Sequence, residues 1–250
     1  MWAALLIQIC GLLLFSERSL EAMEREMVRI PAGSFLPFLT SAKEKPRVVH
    51  EFLIDKDTVK NSEFAEFLND SPAWRKENAK LSFVDESYLN DFKRNAKKSP
   101  SSSVVNVSWY AARAYCKWKG KRLPQTSEWE RIAVSELSGS DKEKILNRIL
   151  DWYSSPTKKI SSNDSGAYED RYGVRNLFGD VWEWVEDFNS YSSSSFSDRE
   201  GNSKGAFCAS GTANVKDKTD YASFMRYAYR NSLKAKYSAP NLGFRCAKSV

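Results

Sequence analysis

The stretch Asn176-Leu177-Phe178-Gly179-Asp180-Val181-Trp182-Glu183-Trp184 carries the densest chemistry in this 250-residue chain. Asn176, Glu183 and the carbonyls of the intervening turn are oxygen donors, the ligand type that a hard cation such as calcium takes. Gly179 supplies a residue free to make the turn tight. If a strand follows, Trp182 and Trp184 share one face and Glu183 points to the other. The same residues also suit a turn that feeds a core strand whose tryptophans simply pack, and the stretch by itself leaves both readings open.

Thiol and imidazole chemistry is narrowly bounded. The single histidine, His50, rules out any multi-histidine metal site and leaves a Ser-His-Asp triad without support. It sits in the apolar-rich run Val48–Ile54, where it reads as a strand residue. Beyond residue 22 the cysteines are Cys116, Cys208 and Cys246. An oxidising compartment permits one disulfide among three cysteines and leaves a thiol over.

The elements that must position these groups follow from composition and periodicity. A hydrophobic content of 42% with 28% charged residues describes a globular chain able to bury a core. The net charge of +6 is spread among interspersed acids without a basic block, so no nucleic-acid surface is expected. Trp2 to Phe15 is almost wholly apolar, too short for a standard membrane span, and fits the core of a signal peptide with Leu20-Glu21-Ala22 as a cleavage site. Residues 1–22 are therefore read as a signal peptide, or alternatively as an uncleaved N-terminal anchor and the sole contact with a membrane. Residues 23–250 are read as one exported domain, periplasmic or secreted.

Met27 to Phe35 reads as a strand, a Pro/Gly turn and a second strand start, and Val48–Ile54 as another strand. Phe64, Phe67 and Leu68 lie on one face of a helix that follows Lys60-Asn61. Residues 69–103 lack periodicity and read as an excursion over the surface. Val104-Val105-Asn106-Val107 reads as a compact strand. Ser108 caps a helix from Trp109 to Lys119, which Gly120 ends. A further helix starts near Gln125 or Thr126 and carries Trp129 and Ile132, and another spans about Lys142 to Trp152. Asn241 to Ala247 closes the chain's core as a strand.

Four segments resemble one family in order. They are Met27 to Phe35; Asn106-Val107-Ser108-Trp109 through Tyr115-Cys116-Lys117-Trp118, with Arg122-Leu123-Pro124 and Glu128-Trp129-Glu130; Gly179-Asp180-Val181-Trp182-Glu183-Trp184; and Gly243-Phe244-Arg245. Together they resemble the sulfatase-modifying factor domain, the family of the formylglycine-generating enzymes, over roughly residues 27–248. The resemblance implies a compact α+β fold related to C-type lectins, low in regular secondary structure, and a monomer. It implies calcium held by the side chains of Asn176 and Glu183 and the carbonyls of Gly179 and Val181, a disulfide between Cys116 and Cys246, and a free thiol at Cys208.

Departures from the family pattern bear on function. Catalytic members hold copper with two cysteines placed shortly before the closing Gly-Phe-Arg, and soft Cu(I) prefers thiolates. Here the corresponding run, Lys216-Asp217-Lys218-Thr219-Asp220-Tyr221-Ala222, has no cysteine, and Cys208 stands alone upstream. Copper is therefore not expected and no catalytic residue is assigned. The family's substrate groove suggests Trp182, Arg226, Tyr229 and Arg230 as residues that bind a peptide or protein partner, an exported enzyme among the candidates. The competing expectation is an atypical metal- or thiol-dependent oxidoreductase that uses Cys208. A carbohydrate-binding module would rest on the lectin-like fold alone.

Overall fold

The computed structural model describes residues 27–36, 45–136, 142–154, 169–189, 225–226 and 228–250. Cys208, the run 216–222 and the N-terminal segment 1–22 lie outside the described residues.

Three short strands form the main sheet. β1 (Met27–Ile30) pairs antiparallel with β4 (Phe52–Asp55), and β4 pairs antiparallel with β7 (Ala247–Ser249). β2 (Gly33–Phe35) and β3 (Arg47–Val49) make a separate antiparallel pair, and β5 (Trp182–Glu183) runs parallel to β6 (Leu242–Gly243). Central β4 is apolar in three successive residues, Phe52, Leu53 and Ile54, because both of its faces are covered. The single strand expected over Val48–Ile54 is two strands, β3 and β4, broken at His50-Glu51; His50 is exposed in that break rather than within a strand.

Among the described residues five α-helices pack around the sheets: α1 (Asn61–Asp70), α2 (Phe92–Lys98), α3 (Trp109–Trp118), α4 (Thr126–Glu136) and α5 (Lys142–Ser154). At the start of α1 the Lys60 N–H donates to the Glu63 carboxylate at 2.7 Å, which satisfies one of the amide groups that a helix start leaves open. Phe64, Phe67 and Leu68 are buried, as their spacing requires. Ser108 caps α3 by accepting from the Ala111 N–H at 3.2 Å, and Gly120 follows its end at φ +68°. The Phe64 ring touches those of Phe67, Phe92, Tyr115 and Phe244 at centroid distances of 5.3, 5.8, 5.7 and 6.1 Å. One aromatic knot thus binds α1, α2, α3 and the closing Gly-Phe-Arg motif.

Val104 to Val107 forms no strand. Asn106 takes a left-handed φ of +57°, which breaks an extended run, and Val104 and Val107 are buried as irregular chain. The excursion at 69–103 contains helix α2, whose seven residues include four basic side chains and give little apolar periodicity to read. Among the described residues, no helix is long and apolar enough to cross a membrane.

Candidate functional site

The central motif follows an Asx-type turn. Asp170 accepts from the Tyr172 N–H at 2.8 Å and the Val174 N–H at 2.7 Å through one carboxylate oxygen. Its other oxygen is buried without a hydrogen-bond partner, and burial pushes its pKa above the usual aspartate value although those N–H groups and the Arg245 charge oppose the shift. Asn176 and Gly179 then turn the chain at φ +49° and +101°. From there β5 runs beside β6, tied by the Trp182 N–H to the Asn241 carbonyl at 2.8 Å and the Trp184 N–H to the Gly243 carbonyl at 3.0 Å. Gly243 is obligatory here, since a Cβ on it would lie 2.5 Å from the Val104 carbonyl oxygen.

Glu183 is turned into the interior. Its side chain is 1% exposed and that of Arg245 is 0% exposed. Arg245 donates through Nε to one Glu183 oxygen at 2.8 Å and through Nη2 to the other at 2.7 Å. The rest of the guanidinium donates to the carbonyls of Asp55 (3.2 Å), Lys56 (3.1 Å) and Arg175 (3.0 Å). Five N–H groups meet five acceptors, which is the full capacity of an arginine. Burial works against the Arg245 charge, but Glu183, with Asp55 and Asp57 behind it, outweighs that and raises its pKa. The Trp129 indole N–H adds a third donor to Glu183 at 3.1 Å.

This arrangement bears on the expected calcium. Among the described residues no backbone N–H donates to the carbonyl of Gly179 or Val181, although both residues are buried. One Glu183 oxygen takes two donors and the other takes one, so a single lone pair remains for a metal. The Gly179 and Val181 carbonyls and the remaining Glu183 lone pair are hard donors of the kind calcium takes, and an ion there would share the carboxylate with Arg245. No group of three or more His, Cys, Asp or Glu residues close enough to hold an ion occurs among the described residues, so such a site would rest chiefly on carbonyls.

Trp182 lies in an aromatic assembly. Tyr153 stacks on it at 4.9 Å and 16°, Tyr229 at 4.4 Å and 27°, and Trp152 leans on it at 4.7 Å and 45°. The Trp152 N–H and the Tyr229 hydroxyl are buried with no hydrogen-bond partner among the described residues, and burial raises the Tyr229 pKa. Arg226 is 7% exposed and sits over the rings of Trp129 (5.2 Å) and Phe178 (5.9 Å). Arg230 faces Glu130 at 3.4 Å. The four residues assigned to a groove are thus neighbours of one assembly, and each is engaged by the protein's own side chains. Trp152 and Tyr153, at the end of α5, belong to that assembly and were not singled out by sequence; two adjacent aromatics closing an amphipathic helix were the available signal. Arg245 was visible as part of Gly-Phe-Arg, but its partnership with Glu183 was not.

Cys116 and Cys246, both fully buried, are joined in a disulfide with Cα atoms 5.6 Å apart. Asp55 braces it: its backbone N–H donates to the Cys246 carbonyl at 2.8 Å, and its carboxylate accepts from the Cys246 N–H at 2.9 Å and from Lys121 at 2.6 Å. Thr126 anchors α4 by donating from its N–H and its hydroxyl to Asp187, both at 2.7 Å, while the Gln125 N–H donates to Glu128 at 2.7 Å.

Comparison with known proteins places these features. The chain is 29% identical over 242 residues to the serine/threonine-protein kinase pkn1 of Chlamydia caviae, covering 90% of this chain and 38% of that protein. It is 29% identical over 290 residues to the formylglycine-generating enzyme of Mus musculus, covering 89% and 74%. It is 27% identical over 287 residues to the inactive C-alpha-formylglycine-generating enzyme 2 of Mus musculus, covering 92% and 87%. The solved structure of Treponema denticola variable protein 1 is similar with a TM-score of 0.51 at 17% identity, covering 90% of this chain and 95% of that one, a likeness of fold alone. The model of the sulfatase-modifying factor enzyme 1-like domain matches residues 14–250, and with the Trp-Glu-Trp strand, the Gly-Phe-Arg closure and the Cys116–Cys246 bridge in place the chain belongs to that family.

Proposed function

We propose that this chain is an exported member of the family without formylglycine-generating activity, which acts by binding or helping to mature another exported protein. The observation that carries the reading is the composition of residues 216–222, where two thiolates are needed and the side chains offer only amine, carboxylate, hydroxyl, phenol and methyl groups. Protonated lysine cannot ligate and aspartate is too hard for Cu(I). The likeness to a protein named inactive supports the same reading. A structural calcium ion at Asn176, Gly179, Val181 and Glu183 forms part of the proposal.

A second reading keeps redox chemistry at Cys208. It is favoured by the disulfide, which consumes Cys116 and Cys246 and leaves Cys208 as the one thiol beyond the leader. One experiment separates the two. The purified chain is incubated with Cu(I), oxygen and a cysteine-containing sulfatase-type peptide, and the aldehyde is sought by mass spectrometry. The expected result is no aldehyde. Aldehyde that Cys208→Ser abolishes establishes the second reading, and aldehyde that survives it overturns both.

A further inference from the structure

The excursion at residues 69–103 exposes apolar side chains amid basic residues. Leu81 is 77% exposed and Phe83 39% exposed, and Tyr237 of the neighbouring segment is 43% exposed. The Asp85 carboxylate fixes that adjacency by accepting the Ser238 N–H at 2.9 Å together with its hydroxyl. Phe83 is supported from below by Tyr110 at 5.0 Å and Trp74 at 6.1 Å, so its ring is held out rather than loosely attached. Lys76 donates to Asn90, which brings the start of α2 against the same segment. Lys76, Lys80, Lys93, Arg94, Lys97 and Lys98 are all exposed. The exposed acids of the segment are Asp70, Glu77, Glu86 and Asp91, the last paired with Arg94 at 3.2 Å. Exposed cations therefore outnumber exposed acids in this segment, and its apolar side chains Leu81 and Phe83 are open to solvent.

We propose that this face docks on an anionic phospholipid surface, with Leu81 and Phe83 entering the headgroup boundary and the lysines meeting lipid phosphates. Three projecting apolar side chains are too few for the core of an ordinary protein interface, which buries about 800 Å² on each partner. They match shallow insertion of about 5–10 Å into the interface of a bilayer. Basic residues beside the insertion are what an anionic leaflet attracts. The contact is independent of any N-terminal anchor, and the peptide- or protein-binding reading given above does not require it.

The test uses hydrogen–deuterium exchange on the purified full chain, so that attachment through the N-terminal apolar run does not obscure the readout. Vesicles of phosphatidylcholine with phosphatidylglycerol should slow exchange in residues 76–86 and 234–238 by about threefold or more, as expected when exposed segments become covered. The effect should fall away at high salt, in Leu81→Ser/Phe83→Ser, and in Lys76→Glu/Lys80→Glu; all four positions are exposed, so both variants should fold. Three results would overturn the proposal: no protection on anionic vesicles, equal protection on phosphatidylcholine alone, or protection by soluble polyglutamate that matches the vesicles, which would assign the face to an acidic polypeptide.

Discussion

Arg245 and Glu183, 62 residues apart in sequence, form a two-pronged ion pair in which neither side chain reaches solvent. Such a pair costs desolvation on both sides, so its net stabilisation is small, whereas loss of one partner is severe. Arg245→Leu should lower stability by about 3–5 kcal/mol, because it strands the Glu183 carboxylate. Arg245→Lys should recover only part of this, since an ammonium cannot fork across two oxygens and three carbonyls. Urea denaturation followed by tryptophan fluorescence measures both, and a loss below ~1 kcal/mol in Arg245→Leu would show that Glu183 is not left as an uncompensated buried charge.

The disulfide between Cys116 and Cys246 spans 130 residues. In the chain-entropy model a loop of that length is worth on the order of 4–5 kcal/mol, although strain often reduces it. Cys116→Ser/Cys246→Ser should lower the unfolding midpoint accordingly. Non-reducing peptide mapping should find these two peptides linked and Cys208 alkylated. A Cys208 peptide linked to either would contradict the arrangement.

Asp170 gives a pH dependence with a definite sign. Its folded-state pKa is raised by burial, so the native state keeps this proton to a higher pH than the unfolded chain does. Its contribution is complete below the unfolded pKa and is lost as pH rises from about 4 through the folded value. Asp170→Asn retains an acceptor for the Tyr172 and Val174 N–H groups without the buried charge. That variant should match or exceed the wild type by ~1 kcal/mol at neutral pH and lose the advantage in acid. Thermal melts across the range decide it; a variant least stable relative to wild type at neutral pH would reverse the assignment.

Calcium at the central turn is best probed without disturbing Arg245. Asn176→Gly keeps the left-handed backbone and removes one expected ligand. Calcium at about 100 times its Kd should stabilise the wild type by ~2.7 kcal/mol, chelation should remove that gain, and the variant should respond weakly. A wild-type melting temperature unchanged by calcium and by EDTA would rule out a stabilising ion.

What could be read from sequence was local. Helix α3 was legible because Ser108, Gly120 and its apolar face are all signals within one segment. The Trp-Glu-Trp alternation was legible as a strand with Glu183 on the face opposite the tryptophans, but the burial of Glu183 was not, because what covers that face comes from distant segments. Its partner, Arg245, comes from a motif whose own segment gives no hint of the pairing. Val104–Val107 looked extended by residue type, and only tertiary contact, with Asn106 at positive φ, explains why it is not. The disulfide came through family likeness, since three cysteines by themselves allow several pairings.

The bracing of Asp55 against Cys246 joins positions 191 residues apart. Residues 242–249 bring the third strand of the sheet, the cation for Glu183 and one half of the disulfide. A nascent chain that has emerged only as far as the Trp-Glu-Trp strand carries acidic groups it cannot yet bury. Such non-local closure favours slow folding that needs these last residues in place. Until then the acidic groups of the interior stay in solvent, and the charge pairing, the sheet and the cross-link are all completed by the same closing segment.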